Sequence, residues 1–191
     1  MNPELQDYLR QIDAVTADAR GLVASVADAE WRRRPAPDRW SIAENIEHLS
    51  VGMRRVMPAI DRAIEDARAR GLTAPGPFRY GWVARMMVRS MEPPVKRRMK
   101  TSPIFMPGEP PARDAALAEL SRTHAELAAR VRRADGLDLK RAKVTSPVSR
   151  FIRVSLGAYV AFLLAHDRRH LWHVRQILAP GYIQGSSAVG P

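Results

Sequence analysis

Residues 159–177, Tyr159-Val-Ala-Phe-Leu-Leu-Ala-His166-Asp-Arg-Arg-His170-Leu-Trp-His173-Val-Arg-Gln-Ile177, read as a helix whose histidines stand where core residues belong. A helix turns about 100° per residue, so Tyr159, Leu163, His166, His170, His173 and Ile177, spaced by threes and fours, share one face. That face is apolar at both ends. Imidazoles stacked on an apolar stripe are costly to bury unless a metal or a polar network satisfies them, and both readings stand on spacing alone. His166 and His170, one turn apart, can share an ion. A borderline ion such as zinc or nickel needs a third ligand, and His48 on another helical segment is the candidate. His173 lies about 10 Å from His166 along the axis, so it is read as a polar neighbour of an ion rather than a fourth ligand.

Outward from this stretch, four long helical patterns emerge and no strand pattern of useful length. The first covers about 4–27, with Leu5, Tyr8, Ile12, Val15, Ala19, Leu22 and Val26 on its seam. The linker Trp31 to Trp40 breaks it with two prolines. Ser41-Ile-Ala-Glu44 then supplies the capping box of a second helix, with Ile42, Ile46, Leu49, Met53, Val56, Ile60 and Ile64 inward. Residues 71–112 are rich in Pro and Gly, hold a short helical piece around 78–91, and read as a crossover roofing one end of a bundle. A third helix, about 113–134, carries Leu117, Leu120, His124, Leu127 and Val131 and stops at Asp135-Gly136. The fourth runs over about 155–178 to Pro180-Gly181, and the Gly/Ser-rich residues 184–191 read as a mobile tail. The fold class is therefore all-α: a four-helix bundle with a long crossover between its second and third helices, one domain over 1–183, without internal repeats.

Composition narrows the chemistry. With no cysteine, disulfides, thiolate ligands and a Cys nucleophile are excluded, and any metal is held by nitrogen and oxygen, which favours a catalytic or labile site over a structural one. The net charge of +11 is spread over every segment and is mostly arginine, which reads as a solvated surface and not a nucleic-acid face. The band Lys96-Arg97-Arg98-Met99-Lys100 is the exception, equally suited to an anionic small substrate. The start of the chain lacks the order of a signal peptide, and Val154 to Ala165 is too short to span a bilayer. The expectation is a cytoplasmic protein acting on a small molecule, with no membrane and no nucleic-acid partner.

Three neutral imidazoles from two helices leave positions on an ion open for water or substrate, and the ion can lower the pKa of a bound water or thiol. No carboxylate is placed as a general base, because Glu44 is claimed by the helix cap and Asp167 points about 100° away from His166. Asn45 and Gly52 share the stripe of His48, and Gly52 reads either as space for a ligand or as a close helix contact. Tyr159 and Asn45 are candidates for the pocket around the ion. His124 reads as a buried hydrogen-bonding residue, and Tyr80, Trp82 and Met86-Met87 as core before pocket. Glu-x-x-His pairs of the di-iron kind are absent.

Three pieces together resemble a known family. They are Trp31 with Arg34-Pro-Ala-Pro-Asp-Arg-Trp-Ser-Ile-Ala-Glu-Asn-Ile-Glu-His48-Leu49, then Lys100-Thr-Ser-Pro103, and His166-Asp-Arg-Arg-His170-Leu-Trp-His173. They resemble the DinB-like (DinB/YfiT-like) superfamily of metalloenzymes, over nearly the whole chain. The resemblance implies a four-helix bundle, commonly a homodimer, with a divalent ion, usually zinc or nickel, held by three histidines. On this sequence those are His48, His166 and His170. It also implies a thiol S-transferase-like or hydrolase activity, the former using a low-molecular-weight thiol; the alternative is a non-catalytic small-ligand or metal-binding module. The chain departs from many members in having His173 where they have Gln.

Overall fold

The computed structural model describes residues 1–95 and 100–179. The chain opens with α1 (Pro3–Ala24), started by the Asn2 side chain accepting from the Glu4 N–H at 2.8 Å, with proline in the first turn where its missing N–H costs nothing. A one-turn helix, α2 (Asp28–Trp31), follows and was not anticipated. At the start of the linker it seats the buried Trp31 indole, whose N–H donates to the Pro111 carbonyl at 3.2 Å. Next comes α3 (Ile42–Ala69), which begins on the expected capping box: the Ser41 hydroxyl accepts from the Glu44 N–H, and the Glu44 carboxylate accepts from the Ser41 N–H. Arg34 holds the same carboxylate.

The crossover contains α4 (Trp82–Met91) and a single 3-10 turn over Pro103–Phe105. Two more long helices complete the bundle, α5 (Arg113–Arg133) and α6 (Leu156–Leu178). Between them lies an antiparallel pair, β1 (Lys143–Thr145) and β2 (Arg153–Ser155), with Val144 opposite Val154. This short hairpin is an addition to the all-α reading, which found no strand pattern of useful length. Three-residue strands are too short for alternation to register against helical periodicity, and only Val144 is fully buried. Lys96 to Met99, the Pro180-Gly181 stop and the tail 184–191 lie outside the described residues.

Around the core, α1 packs on α5, α5 on α3, α3 on α6 and α6 back on α1. Leu5 and Ile12 of α1, Ile46 and Ile60 of α3, Leu120 and Leu127 of α5 and Leu164 of α6 are all fully buried between them. Each such side chain contributes about 1.5–3 kcal/mol by leaving water. The crossover does not simply cap an end: α4 lies along α6 and the 3-10 turn lies against α3. It thus covers the edge where the histidines of these two helices face each other.

One tight point at the start of α6 gives a direct test. The hydroxyls of Tyr8 and Tyr80 both donate to Glu4 Oε1, at 2.5 and 2.6 Å, and burial together with that carboxylate pushes both phenols well above their usual range. A Cβ on Gly157 would collide with the Tyr80 oxygen and stand 2.9 Å from Glu4 Oε1. Gly157→Ala is expected to lower stability by about 1–3 kcal/mol, read as a fall in the urea midpoint at unchanged slope. A variant as stable as the parent would show that Tyr80 moves aside at no cost.

Candidate metal centre

His48 stands on α3, while His166 and His170 stand one turn apart on α6. Each offers one ring nitrogen, and the three nitrogens lie within 4.8 Å of one another. The hydrogen-bond network assigns the tautomers. Asn45 Nδ2 donates to the Ser41 carbonyl at 2.8 Å, which fixes the amide so that Asn45 Oδ1 faces His170 Nδ1 at 2.9 Å. His170 therefore donates from Nδ1 and presents a lone pair at Nε2. His48 donates from Nδ1 to the Phe105 carbonyl at 2.7 Å, so its Nε2 also presents a lone pair, 3.1 Å from His166 Nε2.

Burial pushes all three imidazoles below their usual range. His166 falls to about 3, through desolvation first and then the neighbouring His48 and the Arg169 charge. His170 is held well below the ordinary value by the same causes, and His48 is lowered by desolvation against the opposing pull of Phe105 and Asp167. At neutral pH the set is uncharged, which is the ligand form of histidine. Two nitrogens on one tetrahedral zinc stand about 3.3 Å apart, given bonds of about 2.0–2.1 Å, so the 3.1 Å approach of two Nε2 atoms suits a shared cation better than it suits two bare lone pairs. The donor set fits a borderline divalent ion.

The histidines open onto a cavity of about 520 Å³. Trp40 closes over it, its ring 4.8 Å from His48 and 5.9 Å from His170, and Phe162 stacks 6.3 Å from His166. Asn45, Phe105, Arg39, Lys100, Arg169, Asp38 and His173 also line it. The His173 ring is 5.8 Å from that of His170, and it is not among the three residues whose nitrogens converge.

The remaining sequence candidates fall elsewhere. Tyr159 does not line the cavity: it is buried behind Phe162, ring to ring at 6.2 Å, and burial pushes its hydroxyl up to about 12. His124 lies away from the cavity too, with Nδ1 2.7 Å from the Thr16 hydroxyl and Nε2 3.3 Å from Asp167 Oδ2. Asp167 is turned from the cavity and fully buried, and Glu44 is held by its cap and Arg34. Tyr80, Trp82, Met86 and Met87 do not line the cavity, and Trp82 and Met86 are exposed instead of forming core.

At Gly52 an added Cβ meets nothing within 4 Å, so neither a close helix nor a neighbouring side chain requires the glycine. Gly52→Ala is expected to gain about 0.5–1 kcal/mol of stability with metal content unchanged. A loss of stability would show that this face of α3 is covered in solution.

Phe105, Arg39 and Arg169 were not singled out by sequence. The first acts through a backbone carbonyl, which no side-chain pattern announces, and the arginines are lost among many.

The model of the DinB superfamily matches residues 11–174. Among solved structures, YfiT from Bacillus subtilis, a probable metal-dependent hydrolase with an unusual four-helix bundle topology, superposes with a TM-score of 0.60 at 13% identity, covering 93% of this chain and 87% of that one. At that identity the likeness is one of fold. No curated protein matches the sequence. The family match runs from within α1 to within α6 and so takes in both helices that carry the converging histidines; the chain belongs to the DinB superfamily.

Proposed function

We propose that this protein is a metal-dependent enzyme, a hydrolase or a thiol S-transferase, in which His48, His166 and His170 hold one divalent ion, zinc or nickel. The observation that carries the reading is the meeting of three uncharged imidazoles from two helices at the wall of a cavity large enough for a small molecule. The family and the description of YfiT as a probable metal-dependent hydrolase support it. A divalent ion there supplies Lewis acidity, so that a coordinated water or the thiol of a small cofactor becomes a nucleophile at neutral pH.

The chain's own residues do the rest. Asn45 Oδ1 and the Phe105 carbonyl each hold an Nδ1–H and aim the opposite nitrogen inward, the arrangement that raises the basicity of a ligand histidine. Trp40 and Phe162 shield the imidazoles from bulk water. Among the described lining side chains, Asp38 and His173 also carry groups able to accept a proton.

Metal analysis by mass spectrometry on tag-free protein is expected to find about one equivalent of a transition metal per chain, as one three-histidine site requires. The loaded protein is then assayed for hydrolysis of p-nitrophenyl acetate and for transfer of cysteine to chlorodinitrobenzene, which separates water from thiol as the nucleophile. Protein that is metal-free and cannot be reloaded would overturn the reading in favour of a polar pocket that binds a ligand without metal.

A further inference from the structure

Among the described residues, the cavity beside the three histidines is lined by three cations, Arg39, Lys100 and Arg169, against the single carboxylate of Asp38. Several arginines of α3, α6 and the linker before α3 are neutralised: Arg34 by Glu44, Arg54 by Glu47, Arg168 by Glu92 and Arg175 by Asp18. Arg168 and Arg169, adjacent on α6, turn opposite ways. The first turns out to a bidentate pair with Glu92, with nitrogens 2.9 and 2.5 Å from its two oxygens. The second turns in, is buried, and gives one N–H to the Ser90 carbonyl at 3.3 Å. Its charge reaches the imidazoles, lowering both His166 and His170.

Arg39 and Lys100 have no carboxylate partner among the described residues. An unpaired arginine on an open surface costs nothing, since water solvates it. In a cleft walled by Trp40, Phe105 and Phe162 the same charge loses part of that solvation, and its field is focused by the low-dielectric walls. An oxyanion entering such a cleft gains charge-assisted hydrogen bonds, and a guanidinium matches it through two N–H groups at once.

We propose that Arg39, Lys100 and Arg169 form an oxyanion subsite, and that the substrate of this centre is a small organic anion, a carboxylate or phosphate, whose anionic group is held there while its reactive group faces the three histidines. The proposal rests on the metal-centre reading only for the second half of that statement; the anion subsite stands on the cations themselves. The aromatic walls accommodate an apolar body behind the anionic group. The subsite also gives part of the chain's positive charge a local use that has nothing to do with nucleic acid.

The test compares benzoate with its neutral isostere, benzamide, by calorimetric titration of protein incubated with one equivalent of zinc, with inorganic phosphate as the second anion. Benzoate is expected to bind at least about tenfold more tightly than benzamide, the loss of one charge-assisted hydrogen bond being worth about that factor. In R39Q/K100Q, which alters two side chains at the rim and leaves the buried Arg169 in place, the preference is expected to fall towards unity, and phosphate to weaken by a similar factor. Wild-type protein that does not prefer the anion would overturn the subsite. So would a preference that survives in the double variant, since Arg39 and Lys100 would then have no part in holding the anion. Zinc content is read on the same samples, so the two ideas fail separately. A preference lost in the variant of a protein that holds no zinc supports the subsite and sinks the metal reading. Zinc retained with the preference unmoved does the reverse.

Discussion

The His166→Ala/His170→Ala variant is expected to fold and to carry no transition metal under conditions where the parent holds about one equivalent, as one three-histidine site would. Apparent zinc affinities of four-ligand peptide sites, about 10–16 kcal/mol, correspond to about 3 kcal/mol per ligand, so two lost ligands weaken binding by roughly four orders of magnitude. Folding is expected to survive because His166 and His170 face the cavity and are not packed at the centre of the bundle. The groups left behind, chiefly Asn45 Oδ1, can be reached by water entering the enlarged cavity. Circular dichroism and a thermal midpoint near that of the parent establish the fold, and mass spectrometry reads the metal. A folded variant that keeps its metal would sink the assignment. An intermediate expectation attaches to Asn45→Leu: removing the acceptor that fixes the His170 tautomer should weaken the metal by about 10–100-fold without abolishing it.

How much of this was legible in the sequence depended on whether the signal was periodic. The four long helices were, because each buries a stripe recurring every three to four residues, and Ser41 with Glu44 marked the start of α3 by a reciprocal pair that spacing alone reveals. The three histidines that the structure brings together were legible for the same reason: a polar residue breaking an apolar stripe stands out against its period. The rest was not periodic. The hairpin at β1 and β2 is held by three residues on each side and a single buried valine. Phe105 enters the site by its carbonyl, which every residue possesses. Tyr159 sits on the correct stripe of α6 but a turn too far towards its start, where Phe162 intervenes between it and the cavity. His124 was legible as a buried hydrogen-bonding group, but its partners on α1 and α6 come from 108 residues before it and 43 after, a juxtaposition that no local pattern encodes.

That buried cluster carries the largest expected effect on stability. The Thr16 hydroxyl donates to the Ile12 carbonyl at 2.7 Å, so it accepts from His124 Nδ1–H and leaves His124 Nε2 towards Asp167. Nε2 and Asp167 Oδ2 are 3.3 Å apart but not aligned for a hydrogen bond, and Nε2 and both carboxylate oxygens have no such partner among the described residues. The imidazole is the polar side chain that faces the carboxylate in this fully buried place. Replacing it in His124→Leu strands Asp167, and breaking a buried pair from one side costs about 3–5 kcal/mol, which in a domain of this size lowers the melting temperature by roughly 10 °C or more. Removing both partners is a different matter. In His124→Leu/Asp167→Leu no polar group is stranded, and the double variant is expected to be more stable than His124→Leu alone, giving a coupling in a double-mutant cycle that two independent sites would not show. Additive losses would mean that the two side chains do not compensate each other and that Asp167 is satisfied by other means. Because Asp167 follows His166 on α6 and its charge reaches His48, metal content measured on the same variants would show whether the cluster also sets the position of the histidines it backs.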